Sequence, residues 1–325
     1  MYKKFFGLTR NPFEISPDPY FLFATPKHNE ALASIVHGVL RHKGFIVVTG
    51  EVGTGKTLLV RCLLELLRQR QIASANVFNP RLSPLEFLRY VAGDLGLKPG
   101  NLDKGSLLLE LNEYLIARYR KDLTTVLVVD EAQHLEPELL EEIRLLTNLE
   151  TSQQKLLQIV LVGQPELDQT MDSPQLRQLK QRISLRCQLE AFQGLETHGY
   201  ILRRMKRAGA NSHAETIFPD ATITSVHRWS RGIPRLINTI CENALIAAYA
   251  QKTLSIKPET IDEVATDLRL NVLVQPGIQQ ISATNGQRTM AKSLLDLIET
   301  LERVANGVAV SDTGQARAAS QVKIV

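Results

Sequence analysis

Cysteine is scarce in this sequence: Cys62, Cys187 and Cys241 are the only three in 325 residues, odd in number, far apart and without a CxxC pair. That scarcity excludes a disulfide framework and a cysteine zinc site, and it fits a reducing compartment in which the thiols are buried apolar groups. Long apolar runs are missing as well. No window approaches the ~18 to 20 consecutive apolar residues that a membrane-spanning helix needs. The opening "MYKKFFGLTRNPFEISPDPYFLF" has neither an uninterrupted apolar h-region nor a small-residue cleavage site, so a signal peptide is not expected. The chain reads as soluble and cytoplasmic. Charge of one sign is also in short supply. With 38 Lys and Arg against 34 Asp and Glu, the formal charge of +4 does not by itself imply nucleic acid, although a basic cluster on one face stays open. No internal repeat is evident.

What is present is an ordinary globular balance, 44% hydrophobic and 22% charged, in a chain long enough for two domains. Short β-branched runs alternate with helical periodicity through the first two thirds. Strands are expected at 45–49, at 74–78, in "TTVLVVDEAQHL", in "LLQIVLVGQ" and in "RISLRCQLEAF", with helices at 57–70, 85–96 and 106–119 and one started by Pro137. This alternation predicts an α/β fold with a mostly parallel sheet covered on both faces. After Phe192 the pattern turns all-helical, with stretches at 195–208, 219–230, 234–250 and 258–268. Residues 274–287 read as a polar linker, 290–305 as a short amphipathic helix, and the remainder as a polar tail expected to be disordered.

The stretch "GEVGTGKT" satisfies G-x-x-x-x-G-K-[ST] at Gly50, Gly55, Lys56 and Thr57, between an expected strand and an expected helix. In such a loop, from Gly50 through Glu51, Val52, Gly53, Thr54 and Gly55 to Lys56, Thr57 and Leu58, consecutive backbone N–H groups curl around phosphate oxygens. The helix N-terminus adds positive potential, Lys56 reaches the β and γ phosphates, and the Thr57 hydroxyl ligates Mg2+. The expected ligand is ATP with Mg2+.

Asp130 and Glu131 close the run "TVLVVDE", which places two carboxylates at the carboxyl end of a central strand, the edge where open α/β sheets bind ligands. Asp130 is expected to hold Mg2+ and Glu131 to orient an attacking water. Gln164, at the end of "QIVLVG", is placed to sense the γ phosphate. Arg182, between a helix and the last strand, is a candidate to project into a neighbouring subunit's nucleotide, with Arg177 and Arg186 competing for that role. Arg235 follows Gly232 and Pro234 at the start of a helix, from where an arginine can reach back to the phosphates.

Together these residues resemble the AAA+ ATPases, and within them the ExeA/GspA-type secretion ATPase family, itself similar to transposition ATPases of the TnsC and TniB kind. The lead "FFGLTRNPFEISPDPYFLF" with "HNEAL", and the phrases "VDEAQHL", "LVGQPEL" and "LKQRISLRCQL", carry the resemblance over roughly residues 1 to 268. It implies a P-loop AAA+ core with a C-terminal all-α lid. The implied organisation is a lead and first helix at 1–44, an ATPase core at 45–191, a helical lid at 192–268, and a linker, helix and tail at 269–325. It gives Gln164 the role of sensor 1, Arg182 that of the arginine finger and Arg235 that of sensor 2. It also implies an adenine wall from the lead, for which Phe13, Pro17, Tyr20 and His28 are candidates, although ordinary apolar packing is the expectation for each. ExeA-like proteins continue into a transmembrane helix and a peptidoglycan-binding region; neither is recognisable here, so peptidoglycan binding is not carried over.

The expected function is hydrolysis of ATP by a homo-oligomer that drives or times assembly of an envelope apparatus: a secretion system, a type IV pilus or a polysaccharide exporter. The chain would act from the cytoplasm, peripheral at the inner membrane through a partner. The helix at 290–305 offers Leu294, Leu295, Leu297, Ile298 and Leu301 for docking on that partner or on the protein's own surface. A DNA-associated transposition regulator is the alternative, favoured by the basic residues of "LRQLKQRISLR" and "ILRRMKRAG". A small-molecule kinase is the third reading, weakened by the helical lid and by the second acid beside Asp130.

Overall fold

Five strands form one parallel sheet in the order β2-β3-β4-β1-β5. They are β1 (Phe45–Gly50), β2 (Ala73–Val77), β3 (Thr125–Val129), β4 (Leu157–Gly163) and β5 (Ile183–Leu189). The computed structural model describes residues 2–270 apart from 17, 24, 79, 211 and 212, all within one compact unit. The linker, helix and tail expected beyond residue 270 lie outside the described residues, as does Pro17.

Up to β5 in chain order the helices are α1 (Tyr2–Phe5), α2 (Pro26–Leu40), α3 (Lys56–Gln69), α4 (Pro84–Asp94), α5 (Lys104–Tyr119), α6 (Pro137–Leu146), α7 (Pro165–Met171) and α8 (Arg177–Lys180). The first of these packs away from the sheet. Helix starts follow local chemistry. Ser83 and Glu86 form a reciprocal capping box ahead of Pro84, and Asp103 caps α5 by accepting the Ser106 N–H at 2.8 Å.

Both sheet faces are covered, which is why β1, β3 and β4 are buried along their whole length and read as unbroken apolar runs. Val47, Leu127, Val129, Ile159 and Leu161 face a core shared with α4, α5, α6, α7 and α8. The opposite face lies against α2 and α3.

Beyond Leu189 every described element is helical: α9 (Gly194–Met205), α10 (Ala214–Ile217), α11 (Asp220–Ser230), α12 (Pro234–Ala250) and α13 (Pro258–Asp267). The helix expected to reach residue 208 stops sooner, because residues 206–210 widen into a π turn and Gly209 leaves helical geometry at φ +111°. These helices enclose a second core around Ile201, Met205, Phe218, Val226, Ile237, Ile240 and Leu245.

Residues from the start of the chain belong to this second core. Tyr2, Phe6, Leu8, Phe13 and Phe21 are buried in it, with the Phe13 and Phe218 ring centroids 5.7 Å apart. Tyr2 Oη donates to Glu242 on α12 at 2.8 Å, and buried Arg204 on α9 donates from Nε to Pro12 O at 2.6 Å. The adenine-wall candidates therefore separate. Phe13 is ordinary apolar core, and Tyr20 is exposed between the guanidinium groups of Arg10 and Arg207. Of the thiols expected to be buried, Cys241 is, whereas Cys62 and Cys187 are only partly so.

Candidate nucleotide-binding site

The chain leaves β1 at Gly50 and enters α3 at Lys56, and the loop between them is shaped by two left-handed glycines, Gly53 (φ +84°) and Gly55 (φ +102°). Glu51 and Val52 are exposed at its tip, while Thr54 is fully buried and donates its hydroxyl to Glu51 O at 2.8 Å. Leu58 and Thr57 are half-buried in the first turn of α3. Lys56, 6% exposed, turns its ammonium back onto the loop and donates to Gly50 O at 2.7 Å and Glu51 O at 3.0 Å. Burial pushes its pKa down, opposed by the carboxylates of Glu131, Asp130, Glu51 and Glu166.

Residues just past β3 and β4 face the loop from the same sheet edge, because β4 lies between β1 and β3. Asp130 prolongs the ladder by donating its N–H to Val77 O at 2.9 Å. Its carboxylate accepts the Glu131 N–H at 2.9 Å, and the Thr57 hydroxyl stands close enough to it to favour its ionised form. Burial raises the Asp130 pKa; the Glu131 N–H bond, the Thr57 hydroxyl and the Lys56 charge pull the other way. Glu131 occupies the left-handed region at φ 52°, ψ 37°, a conformation that costs a non-glycine residue about 1–3 kcal/mol and tends to gather at functional sites.

Thr57 and Asp130 stand together and would be the residues to offer oxygens to a divalent cation. Among the described residues no group of three or more His, Cys, Asp and Glu is arranged to hold a metal. Two donors suit Mg2+ arriving with a phosphate ligand, since that ion keeps several waters and takes few protein oxygens.

Gln164 sits at the end of β4 as the N-cap of α7, and its Nε2 reaches Glu131 Oε2 at 3.4 Å. Arg235 is exposed at the start of α12, and its contact with the loop is made by the main chain: its N–H donates to Gly53 O at 3.3 Å. Arg182 is remote from its own loop. It immediately precedes Ile183, which pairs with Phe45 at the opposite end of β1 from Gly50, a span of five steps or roughly 17 Å at about 3.3 Å per residue. There it donates to Asn148 Oδ1 at 2.9 Å. The competing Arg186 pairs with Asp168, and Arg177 is exposed at the start of α8.

Two further residues join the site. His28, considered only for an adenine wall, braces the loop: Nε2 lies 3.0 Å from Thr54 O and Nδ1 lies 2.8 Å from Thr25 Oγ1. Gln133 links Glu131 to Gln164, donating to Glu131 Oε2 at 2.6 Å and accepting the Gln164 backbone N–H at 3.0 Å. The phrase "VDEAQHL" contained Gln133, but only the fold shows which strand end it meets.

Residues 39–171 match the family described as AAA domain. General secretion pathway protein A of Aeromonas hydrophila is 45% identical over 253 residues, covering 77% of this chain and 45% of that protein. The chain belongs to the AAA+ family, alongside that secretion protein. It spans less than half of the relative's length. Among solved structures, Cdc6p of Pyrobaculum aerophilum aligns with a TM-score of 0.58 at 18% identity, over 82% of this chain and 70% of that one. The ORC2 protein of Aeropyrum pernix, in ADPNP-ADP complexes, aligns with a TM-score of 0.55 at 16% identity, over 80% and 75%. At such identities the likeness shows a shared P-loop AAA+ fold. No helix among the described residues is long and apolar enough to cross a membrane.

Proposed function

We propose that this AAA+ protein hydrolyses ATP and, as a homo-oligomer, couples nucleotide binding and hydrolysis to assembly or regulation of an envelope apparatus such as a secretion system, pilus or exporter. The observation that carries the reading is the joining of Thr57, Asp130 and Glu131 at one sheet edge beside the buried Lys56 ammonium. The ADPNP-ADP complexes of the ORC2 neighbour and the secretion role named for the Aeromonas relative point the same way.

In this reading the loop N–H groups from Gly50 to Thr57 surround the phosphates. Lys56 exchanges the carbonyls of Gly50 and Glu51 for β and γ phosphate oxygens, an ammonium already desolvated and therefore strong in its new contacts. Thr57 and Asp130 would hold Mg2+, whose chemistry when bound is to neutralise charge developing on the phosphates. Glu131 orients the attacking water and Gln164 reads the γ phosphate. Arg235 reports loop position to the lid, and Arg182 serves the nucleotide of a neighbouring subunit. The chain works from the cytoplasmic side, peripheral to the membrane through its partner.

The test is phosphate release with Mg-ATP, compared among the native chain, Lys56→Ala and Glu131→Gln. Lys56→Ala is expected to lose nucleotide binding. Glu131→Gln is expected to bind ATP, lose turnover and accumulate as an oligomer whose crosslinked partners in cells are envelope proteins. Native-like hydrolysis by Glu131→Gln sinks the mechanism. Strong, salt-sensitive stimulation by duplex DNA would replace the envelope partner with DNA.

A further inference from the structure

The Glu131 carboxylate is gripped by amides from both neighbouring strand ends. Gln133 Nε2 donates to Oε2 at 2.6 Å, and Gln164 Nε2 approaches the same oxygen at 3.4 Å. The other end of the Gln133 amide is engaged too, with Oε1 accepting the Gln164 backbone N–H at 3.0 Å. One side-chain amide thus spans from the carboxylate after β3 to the main chain after β4. The local sequence builds this span. Residues Ala132–His134 form a single 3-10 turn that carries Gln133 back toward β4. Gly163 lets it come close, since a Cβ there would stand 3.1 Å from Gln133 Oε1, 3.2 Å from Gln133 N and 2.9 Å from Leu167 Cδ2.

We propose that Gln133 is a positioning residue that fixes the aim of the Glu131 carboxylate by tying it to the end of β4, so that a shift at Gln164 is transmitted to the group that orients water. The inference rests on the hydrolytic reading above. A carboxylate on a free side chain rotates; donors on Oε2 set its plane and assign the water to Oε1. The Gln164 N–H and the Glu131 carboxylate are opposite ends of one short chain of hydrogen bonds. Any movement that lengthens one bond must turn the other. Sensing and chemistry then share a planar amide with no rotatable bond between its donor and its acceptor.

The test measures kcat, KM and nucleotide Kd for Gln133→Ala and Gln133→Glu, together with hydrogen exchange of the Gln164 amide by NMR. Removal of an outer hydrogen-bond partner of a reacting group is expected to lower kcat roughly ten- to hundredfold, with KM and Kd within about twofold of native. Gln133→Glu keeps the length but presents an acceptor to Glu131, and the same loss is expected. In a Glu131→Gln background Gln133→Ala should change the residual rate no further. The Gln164 amide should exchange at least about tenfold faster in Gln133→Ala while the rest of β4 keeps its protection, which separates a lost tie from a lost fold. An unchanged or raised kcat, a Kd that worsens in step with kcat, or an unaltered Gln164 amide would overturn the role of Gln133. Native-like turnover by Glu131→Gln would instead overturn the hydrolytic reading beneath it.

Discussion

The backbone N–H of Arg235 donates to the carbonyl of Gly53 at 3.3 Å, so the first turn of α12 rests directly on the glycine-rich loop after β1. A Cβ at Gly53 would stand 2.7 Å from Arg235 Cβ and 3.0 Å from Ile233 Cγ2, and the residue has a φ of +84°. Gly53→Ala is therefore strained twice over. It is expected to cost about 1–3 kcal/mol and to weaken nucleotide binding by holding the lid off the loop. Thermal melting and titration with a fluorescent ADP analogue check both effects; native-like values for both would refute the contact's importance.

Arg182 lies at the opposite end of β1 from its own loop, so on the hydrolytic reading proposed above it would serve a phosphate in another subunit. Arg182→Ala is expected to bind ATP normally and to lose most of its turnover, by a factor in the range of about 10³ to 10⁵ for a true trans-acting arginine. Mixed with Lys56→Ala, it should regain part of the rate, since each variant contributes the group that the other lacks. Arg177→Ala and Arg186→Ala serve as controls, and a larger loss in either would transfer the role.

His28 gives the protein a pH dependence with a definite sign. Burial lowers its pKa below the usual 6.5, outweighing the pull of the Thr54 carbonyl and of Glu196. Between that lowered value and 6.5 the unfolded chain binds more protons than the folded one, and in such a window stability rises with pH. The His28 contribution is thus complete above about pH 7.5 and is lost as pH falls below 6.5. Melting temperature between pH 7.5 and 5 should drop less steeply in His28→Gln than in the native chain.

Asp130 is buried at a cost to stability. Its folded pKa is raised by burial, so the ionised form is disfavoured by folding at neutral pH. Asp130→Asn keeps an acceptor for the Glu131 N–H and removes the buried charge. The variant is expected to melt a few degrees higher than the native chain without nucleotide, and to lose Mg2+-dependent stabilisation by ATP. A lower melting point in the nucleotide-free protein would contradict the assignment of burial as the dominant effect.

Much of this site was legible because its signals are contiguous. "GEVGTGKT" and "TVLVVDE" each declare a strand, a turn and the polar groups at its end, and the sheet order then sets them side by side. Gln164 was legible for the same reason. Gln133 and His28 were not, since each acts on a residue remote in sequence: Gln133 on Gln164, and His28 on Thr54 by way of α2. Arg235 was placed correctly at a helix start, yet the contact observed is made by its main chain, which no side-chain motif specifies. The early π turn at 206–210 follows from a single glycine whose φ periodicity does not reveal.

The burial of Tyr2, Phe6, Phe13 and Phe21 among helices formed by residues 194–267 also orders events during synthesis. Tyr2 meets Glu242 across 240 positions of chain. At about 5–20 residues per second, this opening segment waits roughly 12 to 48 s before its partner leaves the ribosome. Through that interval several aromatic side chains have been made without the core that later buries them.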